Sequence, residues 1–303
     1  MSISPTTVIR QDVGTLKPTP RKPVGSLLLK SDLKTPSGKP AGPLVAATFS
    51  ATGDELVTLD SHGQLVSFYL YNNRYAAIRR NGAKAIAIAF SPLRRAELYV
   101  ALVDGTIECV DTATRAVTGV LKGHIHAARS LVCHPRQALL LSCASNAAIL
   151  WQTTATSWKS DHKRVRSMPA EPARTLQHAL FLPSGDGLLT CAERGLEIFN
   201  LSFASVGSLK LPPSHDASLR LRSCAVTPDS SVAAGAGDGG WLAVWSLSTC
   251  TLARMVLLPD AFGGVSQLLP LPPGPTSGSA PLLLTCADGA LRVVDAAAPA
   301  VIQ

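Results

Sequence analysis

Three groups of residues have types and spacings that suit chemistry. Gly235, Gly237 and Gly240 spell GxGxxG, a pattern that cradles a dinucleotide pyrophosphate when a helix N-terminus comes after it. The next residues are Trp241-Leu242-Ala243-Val244-Trp245, an alternating strand pattern, so these glycines read as a β-turn. His124, His126 and His134, with Cys133 nearby, carry the donor types of a transition-metal site. Against that, Cys133 stands where other parts of the chain place Phe90 and Phe181, and His134 precedes Pro135 in a turn. The third group is the basic run Lys159, Lys163, Arg164 and Arg166, with Ser167 after it. It suits an anionic partner or a contact controlled by phosphorylation, although such runs are more often solvated loops. The chain has no GxSxG, no HExxH and few paired carboxylates, so acyl transfer and zinc-dependent hydrolysis have no recognisable machinery. The expectation is a non-enzymatic protein with no cofactor, no metal and no small-molecule substrate.

These residues must be positioned by elements that the composition constrains. Of 303 residues, 46% are hydrophobic and only 16% charged, which suits buried strands better than long solvated helices. The net charge of +8 permits an anionic partner without establishing one. Seven cysteines without a CxxC pair and no secretory leader read as reduced thiols of a cytoplasmic protein. No apolar run approaches the roughly 18 residues that span a bilayer.

A repeat organises the chain. Turns at His62-Gly63, Asp104-Gly105, Ser145-Asn146, Arg194-Gly195, Gly239-Gly240 and Asp288-Gly289 recur every 41 to 49 residues. Gly and Asn at such turns suggest positive φ. Each turn leads into an alternating segment ending on Phe68, Val110, Trp151, Phe199, Trp245 or Val294. Upstream, each unit opens with an apolar run closing on Phe49, Phe90, Cys133, Phe181, Val226 or Leu268. The middle runs LLLSCA (139–144), LLTCA (188–192) and LLLTCA (282–287) suggest that Cys143, Cys191 and Cys286 share one phase. Short strands at this period predict an all-β protein of WD40 type, a β-propeller with six recognisable repeats. Six or seven blades are expected, one of them incomplete or shared between the termini through Gly25–Lys30 (GSLLLK), or the chain is the front portion of a longer protein.

Lys122-Gly123-His124, the turn at Ser145-Asn146 and Trp151-Gln152 resemble a degenerate WD repeat. The resemblance implies a hydrogen-bonded staple of His124, Ser142 and Trp151, with Asn146 and Gln152 near positions where that family prefers Asp. Ala51–Tyr75 and Ala85–Leu150, including the Asn73-Arg74 pair and the CVDTATR run, are similar to a narrower group. That group is the N-terminal propeller of WD-repeat proteins carrying a C-terminal TBC domain, and the likeness runs over roughly residues 18–295, starting with the KPTPRKP segment. The likeness implies a protein-binding scaffold at centrosomes, centriolar satellites or the cilium base. The TBC region and coiled coil of that family have no counterpart in this sequence, so no Rab-GTPase-related activity is expected of it.

The expected organisation is a flexible Pro-rich, basic segment at 1–24 and a propeller over 25–303, with an outer strand and a basic insertion at about 152–172 and a Pro/Gly/Ser loop at 270–281. Two other readings stay open. One is a substrate receptor of a cullin-type ubiquitin ligase, although neither Trp151 nor Trp245 heads the WDxR motif such receptors usually carry. The other is a basic propeller that binds phosphoinositide or RNA. Apart from Trp158, the basic run lacks the interleaved aromatics that single-strand stacking needs.

Overall fold

In the computed structural model, residues 42–72, 74–78, 84–153, 162–169, 175–212, 220–258, 264–272, 280–287, 291–296 and 301–302 are described. Among them, strands succeed one another with a single 3-10 turn at Asp238–Gly240. The first sheet holds β1 (Leu44–Phe49), β2 (Glu55–Asp60), β3 (Leu65–Tyr69) and β4 (Arg74–Ile78). The second holds β5 (Ala85–Phe90), β6 (Glu97–Leu102), β7 (Ile107–Asp111) and β8 (Ala116–Leu121). The third holds β9 (Ala128–Cys133), β10 (Leu139–Ala144), β11 (Ala147–Gln152) and β12 (Lys163–Pro169). The fourth holds β13 (Leu176–Phe181), β14 (Gly187–Ala192), β15 (Gly195–Asn200) and β16 (Ser205–Lys210). The fifth holds β17 (Leu221–Val226), β18 (Val232–Gly237), β19 (Trp241–Ser246) and β20 (Thr251–Leu257). The sixth holds β21 (Val265–Pro270), β22 (Pro281–Cys286), β23 (Leu291–Asp295) and β24 (Val301–Ile302).

Every sheet is a four-stranded antiparallel meander, and in each the first strand carries a register shift near its start. Such bulges increase local twist, which lets successive sheets fan out around an axis. First strands contact one another in chain order, β1 to β5, β5 to β9, β9 to β13, β13 to β17 and β17 to β21. The architecture is a β-propeller of six blades among the described residues. The strand Gly25–Lys30, expected to be shared between the termini, lies outside them. In the sixth blade the fourth strand comes from Val301–Ile302.

Apolar packing is blade on blade. Ile88, Phe90, Leu98 and Val100 of blade 2 pack with Val57, Leu59 and Leu65 of blade 1. Trp151, Ile149 and Leu140 meet Tyr99 and Cys109 of blade 2. Phe181 and Phe199 meet Leu141 and Cys143 of blade 3. Trp245 and Cys224 meet Leu189 and Cys191 of blade 4, and Leu282 and Leu284 meet Leu242 and Val244 of blade 5.

Three expectations need correction. Gly63, Gly105, Gly239 and Gly240 do have positive φ, but Asn146 and Gly195 do not. The third and fourth hairpins are shorter, closing on Ala144↔Ala147 and Ala192↔Gly195, so Gly195 is the first strand residue rather than a turn residue. In the sixth blade the hairpin closes on Thr285↔Leu291, with five residues between. This shifts LLLTCA by one position against LLLSCA: Val265 pairs with Cys286 where Ala128 pairs with Ala144. A one-residue slip reverses the face of every side chain. Cys143 and Cys191 therefore face the following blade, whereas Cys286 faces the preceding one, and the three share burial but not phase. Finally, the outer strand expected within 152–172 is β12, the outermost strand of blade 3, and Lys163, Arg164 and Arg166 lie on it rather than in the basic insertion.

Candidate functional site

The polar groups whose types suggested chemistry are engaged in holding blades. In blade 3, Trp151 Nε1 donates to Ser142 Oγ at 2.7 Å, and Ser142 Oγ shares a hydrogen bond with His124 Nε2 at 2.6 Å. All three side chains are buried. Burial pushes the His124 imidazole down to about 4, so it is neutral at pH 7. His124 Nδ1 and Asn146 Oδ1 are buried without a hydrogen-bond partner. The structure thus joins His124, Ser142 and Trp151 and leaves the position beside Asn146 unengaged.

The same place in the other blades is filled differently, as the strand registers show. Ser142 corresponds to Thr58, Val100, Thr190, Gly235 and Leu284. Thr190 Oγ1 is buried without a partner, because Phe199 stands where Trp151 would donate. In blade 5 a Cβ on Gly235 would lie 3.2 Å from the Trp245 ring, and Trp245 Nε1 reaches Lys210 O at 3.4 Å instead. Gly235 is there because the indole needs that space. With Gly237 it lies within β18, and Gly240 ends a 3-10 turn running into β19. A strand rather than a helix N-terminus comes next, so the GxGxxG run has no convergent N–H groups for a phosphate.

His134 also proves structural. Its Nδ1 accepts the N–H groups of Arg136 and Gln137 at 3.0 and 2.9 Å, which fixes the hydrogen on Nε2. Nε2 then donates to Gly185 O of blade 4 at 2.9 Å, and the ring meets Phe181 edge-on at 4.9 Å. Both nitrogens are committed, so His134 has none left for a metal. Among the described residues no group of three or more His, Cys, Asp or Glu is placed to hold an ion.

Sequence reasoning missed the inter-blade polar ties. Glu55, buried at the start of β2, accepts from Ser67 and from Thr112 of blade 2, the latter at 3.0 Å. Glu97 holds the corresponding place in blade 2 but is tied within its own blade, accepting from Tyr99 at 2.6 Å and Arg94 at 2.9 Å. Ser130 Oγ donates to Ala179 O of blade 4 at 3.2 Å, and Ser223 Oγ accepts the N–H of Leu268 of blade 6 at 3.0 Å. The one available sequence signal was an acidic residue opening two successive second strands.

What remains accessible is surface. Ile125 is 81% exposed in the loop after β8, and Val103 is exposed in the β6–β7 turn. Lys163, Arg164 and Arg166 are exposed along β12, while Lys159 lies outside the described residues. Arg222 and Asp238 form a bidentate pair with both contacts at 2.8 Å on the surface of blade 5. No helix among the described residues is long and apolar enough to cross a membrane.

Blade topology, period and the His–Ser–Trp staple together define a β-propeller of WD40 type. A chain in a crystal structure of a mitotic checkpoint complex has this fold, with a TM-score of 0.67 at 13% identity over 84% of this chain and 75% of that one. The sequence relatives are more specific. A protein named TBC1 domain family member 31 from Xenopus tropicalis is 28% identical over 251 residues, 82% of this chain and 22% of its own length. Its human namesake is 28% identical over 250 residues, and that of Oryzias latipes 27% over 282 residues, 92% of this chain. These matches cover 82% and 92% of the chain, an extent in keeping with the resemblance read over roughly residues 18–295. The chain spans about a quarter or less of the length of these relatives. No family model matches it.

Proposed function

We propose that this chain is a non-catalytic propeller scaffold that binds other proteins, in the setting of centrosomes, centriolar satellites or the cilium base. The observation that carries the reading is the division of labour among its polar groups. Buried Glu55, Glu97, His124 and His134 are tied to neighbouring strands and blades, whereas the loops carry exposed apolar side chains such as Ile125 and Val103. Rigid blades that present variable loops suit partner recognition by surface shape. The cellular setting rests on similarity to the TBC1 domain family member 31 proteins alone. Proximity labelling with the full chain is expected to enrich centrosomal or ciliary proteins, and Ile125→Asp with Val103→Asp to reduce that enrichment. A labelling profile without such proteins would remove the setting; one unmoved by the double variant would remove this face.

A second reading is favoured by one observation: Lys163, Arg164 and Arg166 stand exposed on a single outer strand. An anionic partner there would bind with steep salt dependence. Absence of phosphoinositide-vesicle and RNA binding at low salt would exclude it.

A further inference from the structure

The fourth strands of the six blades hold equivalent outer positions, and β12 differs from the other five in its charge. It carries three cations, Lys163, Arg164 and Arg166, where each of the others carries one at most. It is also held with little burial: every residue on it is exposed except the half-buried Met168. Among the described residues its only ladder is with β11. Ser167 lies on this strand, exposed and without a hydrogen-bond partner among the described residues, and none of the three cations has an acidic partner among them. Register fixes which of these side chains share a face. Arg164 stands opposite Trp151 and Ser167 opposite Ile149, and a bulge at Val165 takes up the odd residue between them. Directly opposed residues project to the same side of a sheet. Trp151 and Ile149 pack towards blade 2, so Arg164 and Ser167 project that way together. Arg166 and Lys163, opposite Leu150 and Gln152, project the other way. Trp151 and Ile149 are two residues apart on β11, about 7 Å along the strand, a gap that an arginine side chain spans. The stem of Arg164 runs beside Gly123, where an added Cβ would lie 3.6 Å from Arg164 Cδ.

We propose that Ser167 is a phosphorylation site of an arginine-directed serine kinase, and that Arg164 holds the phosphate once it is made. Kinases of this class bind their substrates extended and recognise guanidinium groups ahead of the serine through carboxylates. Arg164 and Arg166 stand three residues and one residue ahead of Ser167. Met168 comes directly after it, so a proline-directed kinase, which needs proline there, does not fit. The strand already has the extended form, and lifting it from β11 takes only Met168 out of apolar contact. In the transfer, Ser167 Oγ bonds to the γ-phosphorus of ATP and the bond from that phosphorus to its bridging oxygen breaks. ADP leaves, and the hydroxyl proton passes to the carboxylate base of the kinase. The phosphate brings a charge of about −1.5 to −2 and three acceptor oxygens, so the charge of the strand falls from +3 to about +1. The site stands whichever partner the propeller binds.

Fragment mass spectrometry of the full chain, recovered from growing cells with phosphatases inhibited, tests the site. Phosphate at Ser167 is expected; a chain unmodified there overturns the proposal, whatever other serines carry. On the purified folded chain, a calmodulin-dependent kinase, used as the arginine-directed probe, should modify Ser167, and a proline-directed kinase should leave it unmodified. Arg164→Ala is expected to slow the first reaction about tenfold or more, the loss of one guanidinium–carboxylate contact, with amide exchange in the rest of blade 3 unchanged. An unchanged rate, or modification of the heat-unfolded chain alone, would contradict recognition on the strand. The phosphate contact has its own readout, a phosphorus NMR titration of the modified chain. Its midpoint should lie about half a unit or more below that of the modified Arg164→Ala chain, because a neighbouring cation favours the dianion. Equal midpoints would remove Arg164 from the site.

Discussion

The interface between blades 1 and 2 and the seam between blades 6 and 1 use the same strand phase and differ in what covers it. At the interface, Phe90 and Ile88 from β5 lie against Val57 and Leu59. At the seam, Phe49 and Ala47 from the matching positions of β1 face outward and are exposed. Local sequence does not distinguish the two: LVAATF and AIAIAF both read as inner strands. Burial is decided by the neighbour, so a blade is a half-finished core until the next one covers it.

The largest effect expected is at the covered side. Phe90→Ala should lose about 3–5 kcal/mol in a denaturant melt, the usual cost of emptying a buried aromatic site. A loss below about 1 kcal/mol would mean that the contacts of Phe90 with blade 1 are loose in solution.

Next is the staple. Ser142→Ala leaves Trp151 Nε1 and His124 Nε2 without their common partner and should cost about 1–3 kcal/mol. The comparison inside the ring is blade 5, where Gly235 and Trp245 pack without any staple. If Ser142→Ala proves neutral, blade 3 also stands on packing alone.

Acid should act on blades 3 and 4. His124 and His178 are both pushed down to about 4 by burial, below the roughly 6.5 of an unfolded histidine. His178 Nδ1 lies 3.7 Å from Cys224 Sγ, inside the contact between blades 4 and 5. Between those two values the unfolded chain binds more protons than the folded one, so stability rises with pH across the window. The contribution is fully present above about pH 6.5 and is lost as pH falls towards 4. Asp54, Asp229 and Asp238, held low by hydrogen bonds from Thr52, Thr227 and Arg222 respectively, keep their contribution until pH falls below their ordinary range. A melting temperature that stays flat from about pH 7 to about pH 4.5 would contradict the burial of both imidazoles.

The smallest effect belongs to the seam. Phe49→Ala in the isolated chain should change stability by no more than about 0.5 kcal/mol, because the ring is already in water. A loss comparable with that of Phe90→Ala would mean that Phe49 is covered in solution.

Much of this was legible in the sequence, because period and alternation are local properties. The turn spacing marks six units, and His124, Ser142 and Trp151 were recognisable from the WD-like pattern around them. Three things were not legible, each for a physical reason. The phase of Cys286 depends on the length of a hairpin loop, and a change in that length turns the strand over although LLLTCA looks like LLLSCA. The role of His134 depends on Gly185 O, an acceptor 51 residues away that no local pattern marks. Lys163, Arg164 and Arg166 read as a basic insertion beside an outer strand because charge runs are usually solvated loops, yet pairing with β11 suffices to hold the run itself as that strand.

Hydrogen exchange of the purified chain, compared strand by strand, tests the central claim most directly: stability comes from blade-on-blade burial and stops at one seam. The prediction is slow exchange in Ala85–Phe90, Ala128–Cys133 and Leu221–Val226 and markedly faster exchange in Leu44–Phe49, although all four are inner strands. Equal protection of Leu44–Phe49 and Ala128–Cys133 would contradict it.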